Sequence, residues 1–274
     1  MNRKSGITDM TVTVSNAELP LFGGNVNQGV VRVGDTVRRA KSASSPNVHS
    51  LLRHLETVGF PNAPRFLGTD DKGREILTYI DGTTAFADEI WSSDAPLVAA
   101  TKLLRAFHDA TSGISPGDPQ GWAFAYPDAA QHEVICHNDF APYNMIFKGG
   151  LPTAIIDFDL AGPGPRLRDV AYLAYWFVPL SFSSKDMQPF ADADMAQGCR
   201  RLKLVCETYQ TADYPRLIEL VSEVLHHIAD EMAVVKMIGR DGAKRLRNGG
   251  HFEHWPREAV AFDANRDTVL RNLS

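Results

Sequence analysis

Apolar and polar positions change rhythm along this chain. Val30, Val31 and Val33 lead into a Gly34-Asp35 turn and Thr36 to Arg39 returns, which predicts a β-hairpin. A shorter alternation from Thr11 to Ser15 predicts an edge strand before it. Ser45-Pro46 reads as a helix start, and Leu51, Leu52, Leu55 and Val58 recur at helical spacing until Gly59 stops them. Ile76 to Ile80 is a further strand ending at Asp81-Gly82. Beyond it the helical period dominates, over Leu97 to Ala110, Arg168 to Phe177, Asp192 to Thr208, Pro215 to Ile238 and Arg257 to Leu273. Three short apolar runs, Val134 to Cys136, Met145 to Phe147 and Ala154 to Phe158, read as strands between them. The pattern predicts an α+β chain with a small strand-rich N-terminal lobe over residues 1–80 and a mostly helical lobe over 81–274, joined near Tyr79.

Composition narrows the function. The 28 Lys and Arg against 33 Asp and Glu give a net charge of -5, which disfavours nucleic acid as the partner, since backbone recognition wants a concentrated positive field. No apolar run reaches the roughly 18 residues of a membrane span, and Met1 to Asp9 lacks the apolar segment of a secretory signal. Cys136, Cys199 and Cys206 are too few for a disulfide scaffold and lack zinc-site spacing. A cytoplasmic, metal-independent fold is the expectation, with any metal arriving alongside a substrate.

The chemistry concentrates in Cys136-His137-Asn138-Asp139-Phe140-Ala141-Pro142-Tyr143-Asn144 and Ile155-Ile156-Asp157-Phe158-Asp159. Asp139 and Asn144 leave one loop between short apolar strands. A carboxylate there can accept a hydroxyl proton while the amide oxygen coordinates a divalent cation. Asp157, closing the next apolar run, adds a second oxygen ligand of the hard kind magnesium favours. Taken singly each is an ordinary loop residue; the spacing of the three together carries the signal. Gly23, Gly24 and Gly29 lie between strand candidates, where backbone amides can approach phosphate oxygens closely, although no Walker A loop occurs.

The run H-x-D-x-x-x-x-N followed by D-F-D resembles the catalytic and metal-binding loops of kinases. In its fuller form, H-N-D-F-A-P-Y-N with I-I-D-F-D, it resembles the aminoglycoside phosphotransferase superfamily, whose members phosphorylate small molecules. Within that superfamily the chain is similar to a bacterial branch labelled trifolitoxin-immunity-like. The resemblance implies a protein-kinase-like bilobal fold and Mg2+-dependent transfer of a phosphoryl group from ATP or GTP to a hydroxyl of a small molecule. It implies Asp139 as the catalytic base, Asn144 and Asp157 as the metal pair with Asp159 beside them, and His137 as a brace of the loop. Asp169 matches the aspartate that opens the next helix and ties back to the catalytic loop. Arg39 stands where the family places a phosphate-reaching basic residue. Gly23, Gly24 and Gly29 stand for its glycine hairpin, and backbone groups of Thr78, Tyr79 and Ile80 for its base-binding hinge. One position departs from the family: His49 occupies the place of the helix glutamate that pairs with the basic strand residue. A neutral histidine can hydrogen-bond but supplies no counter-charge, so another network, or weaker activity, is implied.

For the acceptor side, Tyr143, Tyr172, Trp176, Trp255, Trp122 and Phe124 are candidate pocket aromatics that serve equally well as core. His226 with Asp230 and His227 with Glu231 have helical i,i+4 spacing, read as structural pairs. A binding or immunity protein that sequesters a small molecule or peptide on the same fold is the alternative to catalysis, and a metal-assisted hydrolase a more distant one.

Overall fold

Strand pairing in the first eighty residues fixes where the charged side chains of the cleft meet. The computed structural model describes residues 17–21, 29–183 and 195–273. In chain order come β1 (Leu19–Pro20), β2 (Val31–Val33), β3 (Thr36–Arg39), α1 (Ser45–Thr57), β4 (Phe66–Thr69) and β5 (Glu75–Thr78). They build an antiparallel sheet in the order β1-β2-β3-β5-β4, and its register sets Arg39 directly opposite Glu75. The strand predicted over Thr11 to Ser15 lies outside the described residues. Helix α1 begins at Ser45, one residue before the expected proline, and Ser44 is its cap position. The Ser44 hydroxyl donates to the Asp159 carbonyl at 3.0 Å, tying the small lobe to the cleft. Gly59, at φ 77°, ends the helix as the pattern predicts.

The second lobe follows: α2 (Glu89–Ser92), α3 (Asp94–Thr111), β6 (Val134–Cys136), β7 (Met145–Lys148), β8 (Leu151–Ile155), β9 (Gly162–Gly164), α4 (Arg166–Phe177), α5 (Met195–Tyr209), α6 (Tyr214–Ala229), α7 (Glu231–Asn248) and α8 (His251–Leu273). Strands β7 and β8 pair, as do β6 and β9. One buried cluster runs through the lobe, from Leu104 and Phe107 of α3 to Leu173 of α4, Leu202 of α5, Leu220 of α6 and Phe262 of α8, all fully enclosed. It extends to Leu51, Leu52 and Leu55 of α1, so both lobes share apolar contact. Among the described residues no helix is long and apolar enough to cross a membrane.

Of four local differences from the sequence pattern, three have a physical cause in the structure. The strand expected to run through Phe158 ends at Ile155, because Asp157 adopts left-handed backbone at φ 61°, ψ 65°. The single helix expected from Pro215 to Ile238 breaks at Asp230, whose carboxylate accepts the Met232 and Ala233 amides and starts α7. The last helix begins at His251 and carries Pro256 inside it. Gly162-Pro163-Gly164, which has little strand propensity, nevertheless pairs with β6. A Cβ at Gly162 would collide with the Phe124 carbonyl, so only glycine permits that approach.

Candidate active site

The β7–β8 hairpin places two of the candidate ligands side by side. Met145 pairs with Ile155, and the Ile156 amide donates to the Asn144 carbonyl at 2.9 Å. Asn144 and Asp157 therefore leave the same end of the hairpin. Asn144 uses its amide nitrogen to reach the Asp139 carboxylate at 2.7 Å and the Asp139 carbonyl at 3.0 Å, which leaves its amide oxygen out of those bonds. Asp139, Asp157 and Asp159 line one cavity of about 360 Å³. The oxygen donors of Asn144, Asp157 and Asp159 fit magnesium: two carboxylates and an amide, with no sulfur or imidazole among them.

Asp139 is held by a third group. The Tyr143 hydroxyl donates to its carboxylate at 2.6 Å and lies 3.0 Å from the Tyr172 hydroxyl. Burial pushes the Asp139 carboxyl above its ordinary range, while the hydrogen bonds from Tyr143 and Asn144 pull the other way. The loop carrying it is fixed from below. The Asp169 carboxylate accepts the His137 amide at 2.6 Å and the Asn138 amide at 2.8 Å, and a third bond joins it to His108 Nε2 at 3.0 Å. Burial would raise the Asp169 carboxyl, but His108 and the loop's donors hold it below its ordinary value. His137 Nε2 meets the Ile156 carbonyl at 3.0 Å, joining this loop to the one before Asp157. Asn138 and Asp157 both sit at positive φ, conformations that cost energy and that Asn and Asp tolerate better than bulkier residues.

Arg39 faces this group from the small lobe. It is 7% exposed and contacts three carboxylates: Nε pairs with Glu75, Nη1 with Asp157 at 2.8 Å and Nη2 with Asp159 at 2.6 Å. Burial alone would lower the guanidinium's pKa; the charges of Asp159, Asp157 and Glu75 outweigh it and hold it up. Glu75 is the residue the sequence reading missed. It supplies the counter-charge that His49 cannot, and His49 Nε2 contacts its second oxygen at 2.6 Å while stacking on Phe66. The ion pair thus comes from the neighbouring strand, with the helix attached through a histidine. Only a predicted β3–β5 register could have pointed to it.

Behind Arg39 an apolar slot of about 350 Å³ is roofed by Val30, Val37 and Leu77 and floored by Ile146 and Ile156. Thr78, Tyr79 and Ile80 form its rim. The Thr78 amide donates to the Arg65 carbonyl and the Tyr79 amide to that of Asp35, so among these three residues the Ile80 amide alone lacks a protein acceptor among the described residues. Next to it Gly82, at φ 137°, packs so tightly on Ile146 that a Cβ has no room. Gly23 and Gly24 lie outside the described residues; Gly29 precedes β2 with φ 75°.

The candidate pocket aromatics divide. Tyr143 and Tyr172 stand edge-on to Trp176, next to Asp139, whereas Trp255 packs on Tyr175. Trp122 lines the Asp139 cavity, and Phe124 lies in a larger cavity adjoining it. The two i,i+4 pairs do not form: His226 pairs with Asp263 at 2.7 Å and Glu231 with Arg247.

A strand-rich lobe over a helical one, with a carboxylate, an amide and a second carboxylate meeting at the mouth between them, defines a protein-kinase-like fold. Residues 118–219 match the sequence model of the Phosphotransferase enzyme family. That match is a similarity over part of the chain, and the bilobal fold is consistent with it. The trifolitoxin immunity protein of Rhizobium leguminosarum bv. trifolii is 38% identical over 152 residues. The match takes in 54% of this chain and spans 57% of that relative's length. An ADP-bound aminoglycoside phosphotransferase superposes with a TM-score of 0.59 at 14% identity, covering 92% of this chain and 95% of that one. The choline kinase of Streptococcus pneumoniae superposes with a TM-score of 0.57 at 12% identity, covering 90% and 94%. At such identities these two establish the fold.

Proposed function

We propose that this protein transfers the γ-phosphoryl group of ATP or GTP to a hydroxyl of a small molecule. The observation that carries the reading is the meeting of Asp139, Asn144 and Asp157 with Arg39 at one cleft mouth beside an apolar slot. The base enters the slot and meets the Ile80 amide at the rim. Arg39 reaches the phosphates, and Glu75, held by His49, fixes the direction in which its guanidinium points. Asn144 and Asp157, with Asp159 beside them, would hold magnesium, which neutralises phosphate charge when bound.

Asp139 takes the proton of the acceptor hydroxyl as that oxygen attacks in line, and Tyr143 and Asn144 hold the carboxylate in place. Asp169 and His137 are positioning residues: they set the backbone on which Asp139 stands and touch no substrate. Rate enhancement comes from orientation and electrostatics, with no covalent enzyme intermediate.

The similarity to an immunity protein raises a second reading, in which the fold binds a small molecule or peptide without catalysis. Retention of all three polar groups favours catalysis, because a pure binder has no need of a base and two oxygen ligands together. A phosphoryl-transfer screen with ATP and GTP, with and without magnesium, tests the reading against sugars, amino alcohols, hydroxy acids and aminoglycosides. Product that depends on magnesium and falls roughly a thousandfold in Asp139→Ala is expected. Transfer unaffected by Asp139→Ala, or tight acceptor binding with no response to nucleotide, would exclude it.

A further inference from the structure

A second buried arginine lies below the catalytic loop, and its surroundings are unlike those of Arg39. Arg168, in the first turn of α4, is 5% exposed. Its Nε donates to Asn138 Oδ1 at 3.1 Å and its guanidinium lies 4.3 Å from the centre of the Phe124 ring. No carboxylate among the described residues comes within ion-pair distance of it, and burial pulls its pKa down. A buried guanidinium without a counter-ion is costly unless something charged arrives.

The nearby acids are already engaged. Both Asp169 oxygens accept the loop amides, and Glu223 holds Arg216 and the Tyr126 hydroxyl. Asp230 caps α7, and Asp128 accepts the Ala130 amide and the Gln131 side chain. His227, which packs on Phe124, has its pKa lowered to about 4 by burial and by Arg168, so it is neutral. Arg168 lines a cavity of about 1090 Å³ whose wall also carries Lys236. Trp122 and Lys236 border both this cavity and the one containing Asp139, so the two are compartments of one cleft.

We propose that Arg168 forms an oxyanion subsite at the distal end of the acceptor cleft, and that the acceptor carries a carboxylate or phosphate next to a flat apolar group. The charge meets Arg168, the flat group lies along Phe124 and Trp122, and Lys236 covers the open side. This deepens the phosphotransferase reading and rests on it. A polycationic acceptor does not fit such an end.

Isothermal titration with phenyl phosphate, benzoate and neutral benzyl alcohol, with the nucleotide slot filled by Mg-ADP, tests the subsite. At least one oxyanion probe binds about tenfold or more tightly than benzyl alcohol. Which of the two does so separates phosphate from carboxylate. Arg168→Gln, whose amide can still meet Asn138, abolishes that preference, and Arg168→Lys retains part of it. On the unaltered protein, the NMR resonance of the Arg168 Nε–H moves when the preferred probe is added. Equal binding of charged and neutral probes, an unchanged preference in Arg168→Gln, or an unmoved resonance would each overturn the subsite. The Mg-ADP titration separates the two readings. Nucleotide binding without anion preference removes the subsite alone, whereas anion binding without any nucleotide response removes the phosphotransferase reading and keeps the subsite.

Discussion

Two arginines are withdrawn from water to nearly the same extent, Arg39 at 7% and Arg168 at 5% exposure, and their neighbours could hardly differ more. Arg39 touches three carboxylates from two lobes; Arg168 touches an amide oxygen and a ring. Desolvation acts against both charges, but in Arg39 the surrounding carboxylates more than offset it. One arginine is therefore part of a network complete within the protein, and the other is a charge still awaiting its partner. On the proposed reading, the nucleotide end of the cleft is built from charges already paired within the protein, and the acceptor end has a charge that a ligand would complete.

The largest effect that would test this contrast comes from Arg39→Met. It leaves the buried Glu75 without its cation and sets Asp157 against Asp159, so stability in urea falls by about 3–5 kcal/mol. A loss below about 1 kcal/mol would mean that the three carboxylates do not depend on Arg39. Glu75→Gln comes next. It keeps the shape but frees the guanidinium to turn, and kcat falls on the order of a hundredfold. KM for nucleotide changes far less, and Glu75→Asp restores part of the rate. A purely structural role would instead reduce the amount of active protein and leave kcat per folded molecule unchanged.

Arg168→Gln supplies the opposite pole. Removing a buried charge that has no counter-ion changes stability by no more than about 1 kcal/mol. A loss as large as that of Arg39→Met would show that Arg168 has a partner in the resting protein.

The smallest effects are shifts in pH dependence. Burial raises the Asp139 carboxyl, and in the proposed mechanism the base works deprotonated, so the rate is expected to fall as pH drops through that raised pKa. The Tyr143 bond opposes the shift, so Tyr143→Phe moves the acidic limb of the rate profile to higher pH. The same raised pKa has a consequence for stability. Between its unfolded and folded pKa values Asp139 binds more proton in the folded state, so its contribution to stability declines as pH rises through that window. Asp139→Asn removes this decline, and its melting temperature at neutral pH exceeds that of the parent. A lower melting temperature would mean that the ionised carboxylate is not penalised by burial.

What could be read from the sequence follows from how local each feature is. Asp139, Asn144 and Asp157 sit within one stretch of loops and short strands, so their joint spacing marks them as candidates, whereas Asp169 stands out only through the family resemblance. Glu75 does not announce itself, because its meeting with Arg39 depends on the register between strands 36 residues apart. The resemblance puts His49 at the family's helix-glutamate position and leaves the counter-charge to another network or to weaker activity; in the structure Glu75 lies between His49 and Arg39. Arg168 is adjacent in sequence to Asp169, yet burial without a carboxylate is a property of packing that no motif records. Gly162 and Asp230 show the same limit for the fold: a steric contact with Phe124 makes a strand of Gly-Pro-Gly, and one capping carboxylate divides a periodic helix.

The most direct test is calorimetric titration of ATP and GTP, with and without magnesium, into the parent protein and Asp157→Ala. Saturable binding of at least one nucleotide that requires magnesium, and that disappears in Asp157→Ala while the variant remains folded, is the predicted result. Absence of nucleotide binding by the parent, or magnesium-dependent binding undiminished in Asp157→Ala, would contradict the account.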